Sequence, residues 1–283
     1  MRSFIFAIYV LATVAIAQPA LSFPLKVLQL NTWGVPLMVE DTFRYGEAMR
    51  RIEERSPDVI LLEEVFSKKG KRAFHSEAYP YEAEGPSAFP RLVSSGVRVL
   101  SRYPILHTAQ TAFRRCHGTD CLSRKGAVLV ILELPGGWRL NVVATHLDSS
   151  DRVNIHLSQL AQIRSLVERE GDPNAPLVLG GDLNFKEDSI EYPYAMKMLQ
   201  TTDAWRTVHP GADPGYTDDS FENRYGHDYA LKTKSPLSRG RIDYVLSRSS
   251  GTRHITPILA NVIFNEEPLL SDHYGVEASF EID

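Results

Sequence analysis

The stretch Leu179-Gly-Gly-Asp182-Leu-Asn184 constrains this chain more than any other. An apolar run, Ala175-Pro-Leu-Val-Leu179, meets two glycines and delivers first a carboxylate and then a carboxamide. Bounded by Pro176 and Gly180, the run reads as a buried strand. The glycines tolerate backbone angles that other residues resist, which predicts a sharp turn leaving Asp182 and Asn184 at the strand's end. If the chain stays extended, alternation points both side chains to one side. One supplies hard oxygen ligands and negative charge. The other supplies an oxygen for a metal or an NH2 donor for water or a phosphoryl oxygen.

The same pattern recurs along the chain. Leu25 to Leu30 alternates and runs into Asn31-Thr-Trp-Gly34, and Asp58-Val-Ile-Leu-Leu62 runs into Glu63-Glu64. Adjacent acids on an extended chain face opposite ways, so one of that pair, Glu64, is expected in a common site. Gly126–Glu133 and Trp138–His146 read as a hairpin about Pro135-Gly-Gly137, with His146 ending its second strand. Arg241-Ile-Asp243-Tyr-Val-Leu246 is a strand carrying an acid, and Asp272-His273 precedes a last strand, Tyr274 to Phe280. Helices are expected from a cap at Asp41 to Arg55, from Ser150 to Glu170 and from Tyr192 to Leu199. The basic run Ser67 to Arg72 reads as a solvated loop, and residues 207 to 240 as a long polar loop. Strands alternating with helices, with no dinucleotide fingerprint, predict sheets covered by helices.

Residues 23–283 carry no linker or repeat and read as one domain, whose 43% apolar content suffices for a large core. A formal charge of −4 offers no basic footprint for nucleic acid. Residues 1–22 read as a secretory signal, one positive charge followed by an apolar run and small residues, cleaved after Ala17 or Ser22. The mature protein is thus expected to be exported, secreted or periplasmic. In that setting Cys116 and Cys121 are expected to form a disulfide worth roughly 2 kcal/mol.

Asn31, Glu64, His146, Asp182, Asn184, Asp243 and the Asp272-His273 pair therefore collect at strand ends, at what is expected to be one shared edge. The set is rich in oxygen and free of thiolates, which favours a hard divalent ion such as Mg2+ over zinc. That ion suits phosphoryl transfer. Asp243 with His273 fits an imidazole oriented by a carboxylate, a common general base.

Taken in order, Leu30-Asn31-Thr-Trp-Gly, Leu62-Glu63-Glu64-Val, Ser95-Gly-Val-Arg-Val-Leu-Ser-Arg-Tyr-Pro, Thr145-His146, Gly181-Asp182-Leu-Asn184, Arg241-Ile-Asp243-Tyr and Ser271-Asp272-His273 resemble the motifs of the endonuclease/exonuclease/phosphatase superfamily. The resemblance spans nearly the whole mature chain. It implies an α/β fold, a four-layer αββα sandwich of two packed, mostly antiparallel sheets flanked by helices, and metal-dependent phosphoester hydrolysis. Asn31-Thr-Trp-Gly-Val-Pro, Leu61-Leu-Glu-Glu-Val-Phe, Lys125-Gly-Ala-Val and Arg241-Ile-Asp-Tyr-Val-Leu are most similar to segments of the neutral sphingomyelinases.

That resemblance implies release of phosphocholine and ceramide with Mg2+, or with Mn2+ or Co2+ in vitro. Its metal set is Asn31, Glu64, Asp182, Asn184, Asp272 and His273, with Glu64 the principal ligand. His273, oriented by Asp243, is the base; His146 stabilises the phosphorane or protonates the leaving group, Asp182 being the other candidate acid. Asp120 and Lys125 match an element that holds the lipid phosphate. The partner implied is a sphingolipid membrane surface, with no nucleic acid, no protein partner and a monomeric enzyme. A secreted nuclease or a phosphoinositide phosphatase is the enzymatic alternative, and a non-catalytic binding module the other. No paired tryptophans offer a membrane contact, and Ile263-Phe264 and Leu269-Leu270 are the apolar candidates near the site.

Overall fold

A computed structural model describes residues 22–35, 42–211 and 213–283. The signal-like segment up to residue 21 and the cap expected at Asp41 lie outside the described residues. In chain order the strands are β1 (Phe23–Asn31), β2 (Val59–Glu63), β3 (Tyr81–Glu84), β4 (Arg98–Ser101), β5 (Ile105–Ala112), β6 (Gly126–Leu134), β7 (Trp138–His146), β8 (Leu177–Asp182), β9 (Thr202–Asp203), β10 (Asp218–Asp219), β11 (Arg239–Gly240), β12 (Asp243–Arg248), β13 (Ile255–Ile263) and β14 (Gly275–Ile282). The helices are α1 (Thr42–Arg55), α2 (Lys68–Ala73), α3 (Val153–Glu170), α4 (Glu191–Leu199), α5 (Ala204–Val208) and α6 (Arg224–Thr233).

Two six-stranded sheets, ordered β13-β14-β1-β2-β4-β3 and β5-β6-β7-β8-β12-β9, stack face to face. Each is antiparallel except for one parallel pair, β1 with β2 in the first and β7 with β8 in the second. Alternation along the strands sorts the side chains into layers. Leu25, Val27, Val59, Leu61, Val128, Val130, Val142, Val178 and Val245 fill the space between the sheets. Their neighbours of opposite parity face outward: Leu28, Leu30, Ile60 and Leu62 pack under α1 through Met49 and Ile52. Leu129, Val143, Leu179 and Leu246 pack under α3 and α4 through Leu160, Ile163, Leu166 and Leu199. The result is the four-layer αββα sandwich. No helix among the described residues is long and apolar enough to cross a membrane.

Several local expectations need correction. Ser67–Arg72 is not a plain loop: Ser67 Oγ accepts from Gly70 N at 2.9 Å and starts the short helix α2. The 207–240 segment holds a ten-residue helix, α6, opened by Asn223, whose side chain accepts from Tyr225 N and Gly226 N. The chain also does not turn at Gly180-Gly181. β8 runs through both, and glycine is needed at 181 for its backbone, at a φ of 148°, as well as for space, since a Cβ there would lie 1.9 Å from the Thr145 carbonyl oxygen of β7. The turn comes later, where Asn184 adopts a φ of 54°.

Candidate active site

Each inter-sheet stripe changes character at one end of the sandwich. In β1, Leu25 and Val27 give way to Gln29 and Asn31; in β2, Val59 and Leu61 give way to Glu63. In β7 and β8 the stripes end in His146 and Asp182, and β12 starts with Asp243. Because the parity is unbroken, all six side chains are delivered to the space between the sheets. Register then aligns them: Asn31 lies beside Glu63, while His146 pairs with Asp182 and Asp182 with Asp243 across three neighbouring strands.

Hydrogen bonds join the two sheets here. Asn31 Nδ2 donates to Asp182 Oδ2 at 3.0 Å and to Glu64 Oε1 at 3.2 Å. Gln29 Nε2 donates to Asp243 Oδ1 and to Glu63 Oε2, both at 2.8 Å. His273 Nδ1 lies 2.8 Å from Asp243 Oδ2, and its Nε2 is 3.9 Å from Asp182 Oδ2. The long segment expected as a loop closes over this pair through a bridge between Asp218 and His273. Thr217 Oγ1 accepts from the backbone of Asp243 and holds the start of β12.

The expectation that only one of Glu63 and Glu64 could enter the site fails for a local reason. Glu64 adopts a left-handed φ of 59°, so its side chain leaves the alternation of β2. Gly34 permits this by its lack of a side chain, since a Cβ there would lie 2.1 Å from the Glu64 carbonyl oxygen. Both carboxylates are thus tied into one network, Glu63 by Gln29 and Glu64 by Asn31.

The second histidine has a different environment. His146 Nε2 is 2.9 Å from Lys125 Nζ and 3.4 Å from Asp182 Oδ2. An ammonium can only donate, so His146 Nε2 accepts and the proton of the neutral ring sits on Nδ1, which is buried without a partner among the described residues. Lys125 also donates to Leu147 O at 2.6 Å and pairs with Asp120 at 2.8 Å. Asn184 donates to the same Leu147 carbonyl at 3.1 Å, while its backbone N–H donates to Asp182 Oδ1 at 2.9 Å. Asp272 accepts from Ser271 Oγ at 3.2 Å. Cys116 and Cys121 form the disulfide, with Cα atoms 5.2 Å apart, in the loop that carries Asp120.

Burial and crowding of like charge dominate the electrostatics. Burial pushes Glu63 and Glu64 upward, with Asp243 raising Glu63 further and Lys125 opposing the rise at Glu64. Asp182 is pushed up to about 7 by burial and by Asp243, and Asp272 to about 7 by burial. Burial drives His146 well below the ordinary imidazole value, with Lys125 adding to it, so this ring is neutral. Burial opposes the charge on His273 too, but Asp243 and Asp182 outweigh it and hold that ring well above the ordinary value. Both rings are buried, and they take opposite states because carboxylates outweigh burial at His273 whereas Lys125 adds to it at His146.

The donor set fits a hard divalent cation. Glu64 Oε2 is buried and has no hydrogen-bond partner among the described residues. A buried acceptor left bare costs roughly 1–3 kcal/mol, and a cation beside it removes that cost. Asp182, Asp243 and His273 also bring ligand atoms within 4.8 Å of one another. Asp243 and His273 already satisfy each other, however, so the bare oxygens, Glu64 Oε2 together with Glu63 Oε1 and Gln29 Oε1, are the stronger indication that an ion belongs at this end of the sandwich.

Besides Glu63, sequence reasoning missed two members of the cluster. Gln29 lies inside an apolar run, and its parity with Asn31 was the available signal. Asp218 sits in a segment with no periodicity, and burial raises its carboxyl next to His273. Nothing local marks it.

Residues 28–273 match the Endonuclease/Exonuclease/phosphatase family. The chain is similar to a putative neutral sphingomyelinase of Caenorhabditis elegans, 26% identical over 298 residues that take in 92% of this chain and 67% of the worm protein. Across four curated relatives, the chain spans 57% to 68% of their length. The fold is similar to that of a mutant beta toxin from Staphylococcus aureus with bound magnesium ions, at a TM-score of 0.74 and 22% identity over 90% of this chain and 99% of that one. It is also similar to that of D. rerio TDP2 complexed with a single strand DNA product, at a TM-score of 0.73 and 19% identity over 91% and 98%.

Proposed function

The chain belongs to the endonuclease/exonuclease/phosphatase family, and on that premise we propose that it is an exported, Mg2+-dependent phosphodiesterase that hydrolyses sphingomyelin to ceramide and phosphocholine. The observation that carries the chemistry is the Asp243–His273 pair, 2.8 Å apart, set beside Asp182 and the bare buried oxygen of Glu64. The choice of substrate is supported by the worm relative. Export is supported by the signal-like residues 1–22.

Asn31, Glu64, Asp182, Asn184, Asp272 and His273 are the residues that would hold the ion. A bound divalent ion would neutralise phosphate charge, orient and acidify the attacking water and, by its field, oppose the charge on His273. His273, with Nδ1–H committed to Asp243, uses Nε2 to take the proton from that water. Lys125, whose three N–H donors already serve His146, Leu147 O and Asp120, would attract a phosphate oxygen by its charge. Of the two candidate acids for the leaving ceramide oxygen, Asp182, pushed up to about 7, is the one with a proton to give; the neutral His146, whose Nε2 accepts from Lys125 and lies 3.4 Å from Asp182, would steady the phosphorane instead. The Glu63–Gln29–Asp243 chain of hydrogen bonds keeps the base rigid.

The test is to present the purified mature protein in parallel with sphingomyelin vesicles and plasmid DNA, with Mg2+ and then with EDTA. Phosphocholine release abolished by EDTA, with intact DNA, is the expected result. Nicked DNA without phosphocholine would move the substrate to the nuclease branch of the family. No hydrolysis of either, with no effect of Mg2+ on the melting temperature, would leave a non-catalytic binding module.

A further inference from the structure

The apolar pairs expected near the membrane are not available for it: Ile263, Phe264, Leu269 and Leu270 are all buried, between 2% and 6% exposed. Three of the exposed apolar side chains lie together elsewhere. Phe89 is 84% exposed, Leu92 76% and Leu122 51%, and the three come from two loops that are fastened together. Leu92 N and Val93 N both donate to Leu122 O, at 3.0 and 3.2 Å, and Arg124 N donates to Val93 O at 3.0 Å. Ser123 Oγ donates to Ser94 O at 2.8 Å. The Arg124 guanidinium reaches the Phe89 carbonyl, and Arg91 donates to Cys121 O at 2.9 Å, next to the disulfide.

We propose that this loop pair, residues 86–95 and 113–124, is the surface by which the protein docks on a phospholipid bilayer. The charge is complementary to lipid phosphate. The two segments hold four arginines, Arg91, Arg114, Arg115 and Arg124, and a single acid, Asp120, which is taken by Lys125, although the chain as a whole carries −4. Apolar tips flanked by the guanidinium groups of Arg91 and Arg124 match the boundary between acyl chains and headgroup phosphates. The platform is already ordered by its hydrogen bonds and disulfide, so little conformational entropy remains to be lost on docking.

Its position relative to the site gives the surface a use. Arg124 is followed directly by Lys125, which touches His146, and Ser95 by Gly96, whose carbonyl accepts from Val65 N at 2.9 Å, one residue beyond Glu64. A bilayer engaged by these loops is thereby brought to the mouth of the site. This use rests on the reading that the substrate is a membrane lipid, whereas the docking itself does not.

The experiment is co-sedimentation with phosphatidylcholine–phosphatidylglycerol vesicles that contain no sphingomyelin, for the wild-type protein, a Phe89→Ser/Leu92→Ser double variant and an Ile258→Ser control on β13. Binding by the wild type and the control, with at least about a tenfold weaker partition for the double variant, is expected. The same variant should lose rate on sphingomyelin vesicles while keeping its rate on a water-soluble phosphodiester. Equal partition of wild type and double variant, or no binding by the wild type, overturns the proposal. If the variant loses vesicle binding but the wild type hydrolyses no phospholipid, the docking surface stands and the substrate reading falls.

Discussion

Asp243 and His273 meet at 2.8 Å although 30 residues separate them, and the carboxylate is completely buried while the imidazole keeps 13% of its side-chain surface. The carboxylate's other oxygen is taken by Gln29 from the opposite sheet. The base candidate is therefore anchored on its inner side and open on its outer one.

Replacing that imidazole tests its role. His273→Ala should lower the turnover number by about 10²–10⁴-fold, the usual worth of a general base, while circular dichroism remains that of the wild type. A variant retaining most of its activity would remove His273 from the chemistry.

Gln29 stands between two buried carboxylates, Glu63 and Asp243, at 2.8 Å from each. Gln29→Leu keeps the size and removes both donors, so the two acids lose partners that water cannot replace. The expected cost is about 1–3 kcal/mol, read as a lower urea midpoint with an unchanged slope. A midpoint equal to that of the wild type would show that the bridge is dispensable.

Metal binding has a readout independent of turnover. Mg2+ should raise the melting temperature of the wild-type protein, because it binds the folded state alone, and EDTA should reverse the rise. Glu64→Gln removes a carboxylate oxygen that, like Glu63 Oε1, lacks a partner among the described residues, and should shift the Mg2+ dependence to higher concentration. The same dependence in both proteins would assign the ion to other ligands.

Away from the site, Glu187 is linked to Arg206 and to Arg241, at 2.8 Å from the latter. Burial pushes its carboxyl upward, but the two guanidinium groups outweigh burial and hold it below its ordinary value. A depressed folded value means that Glu187 stabilises the fold above the unfolded carboxylate range, about pH 4.3, and that this contribution vanishes as pH falls through the lower folded value. The difference in melting temperature between wild type and Glu187→Gln should be largest at neutral pH and shrink as the solution is acidified below that range. A difference independent of pH would mean that the charge is immaterial.

Much of this was legible without the structure. The hairpin around Pro135-Gly-Gly137, α3 and the strand from Val59 appear where the residues predict them, since alternation and helical periodicity are local properties. Where Asn31, His146, Asp182 and Asp243 face was legible for a related reason: a polar side chain that continues an apolar stripe must face the same layer as that stripe, whereas Glu64, Asn184, Asp272 and His273 lie beyond their strands. β13 and β5 escaped notice. Pro257 interrupts the first, and past Leu106 the second holds only polar or small residues, all partly or fully exposed, as befits edge strands whose outer face meets water.

By itself, then, the sequence determined which side chains would reach the layer between the sheets, because parity along a strand needs no knowledge of its neighbours. Which of them would touch was decided by tertiary structure. The union of Asn31 with Asp182, of Gln29 with Asp243 and of Asp218 with His273 depends on strand order, register and the closure of a distant loop. The opposite charge states of His146 and His273 depend on them too. An ionisable group in a low-dielectric interior takes its state from the charges packed against it, and those come from strands far away in the chain.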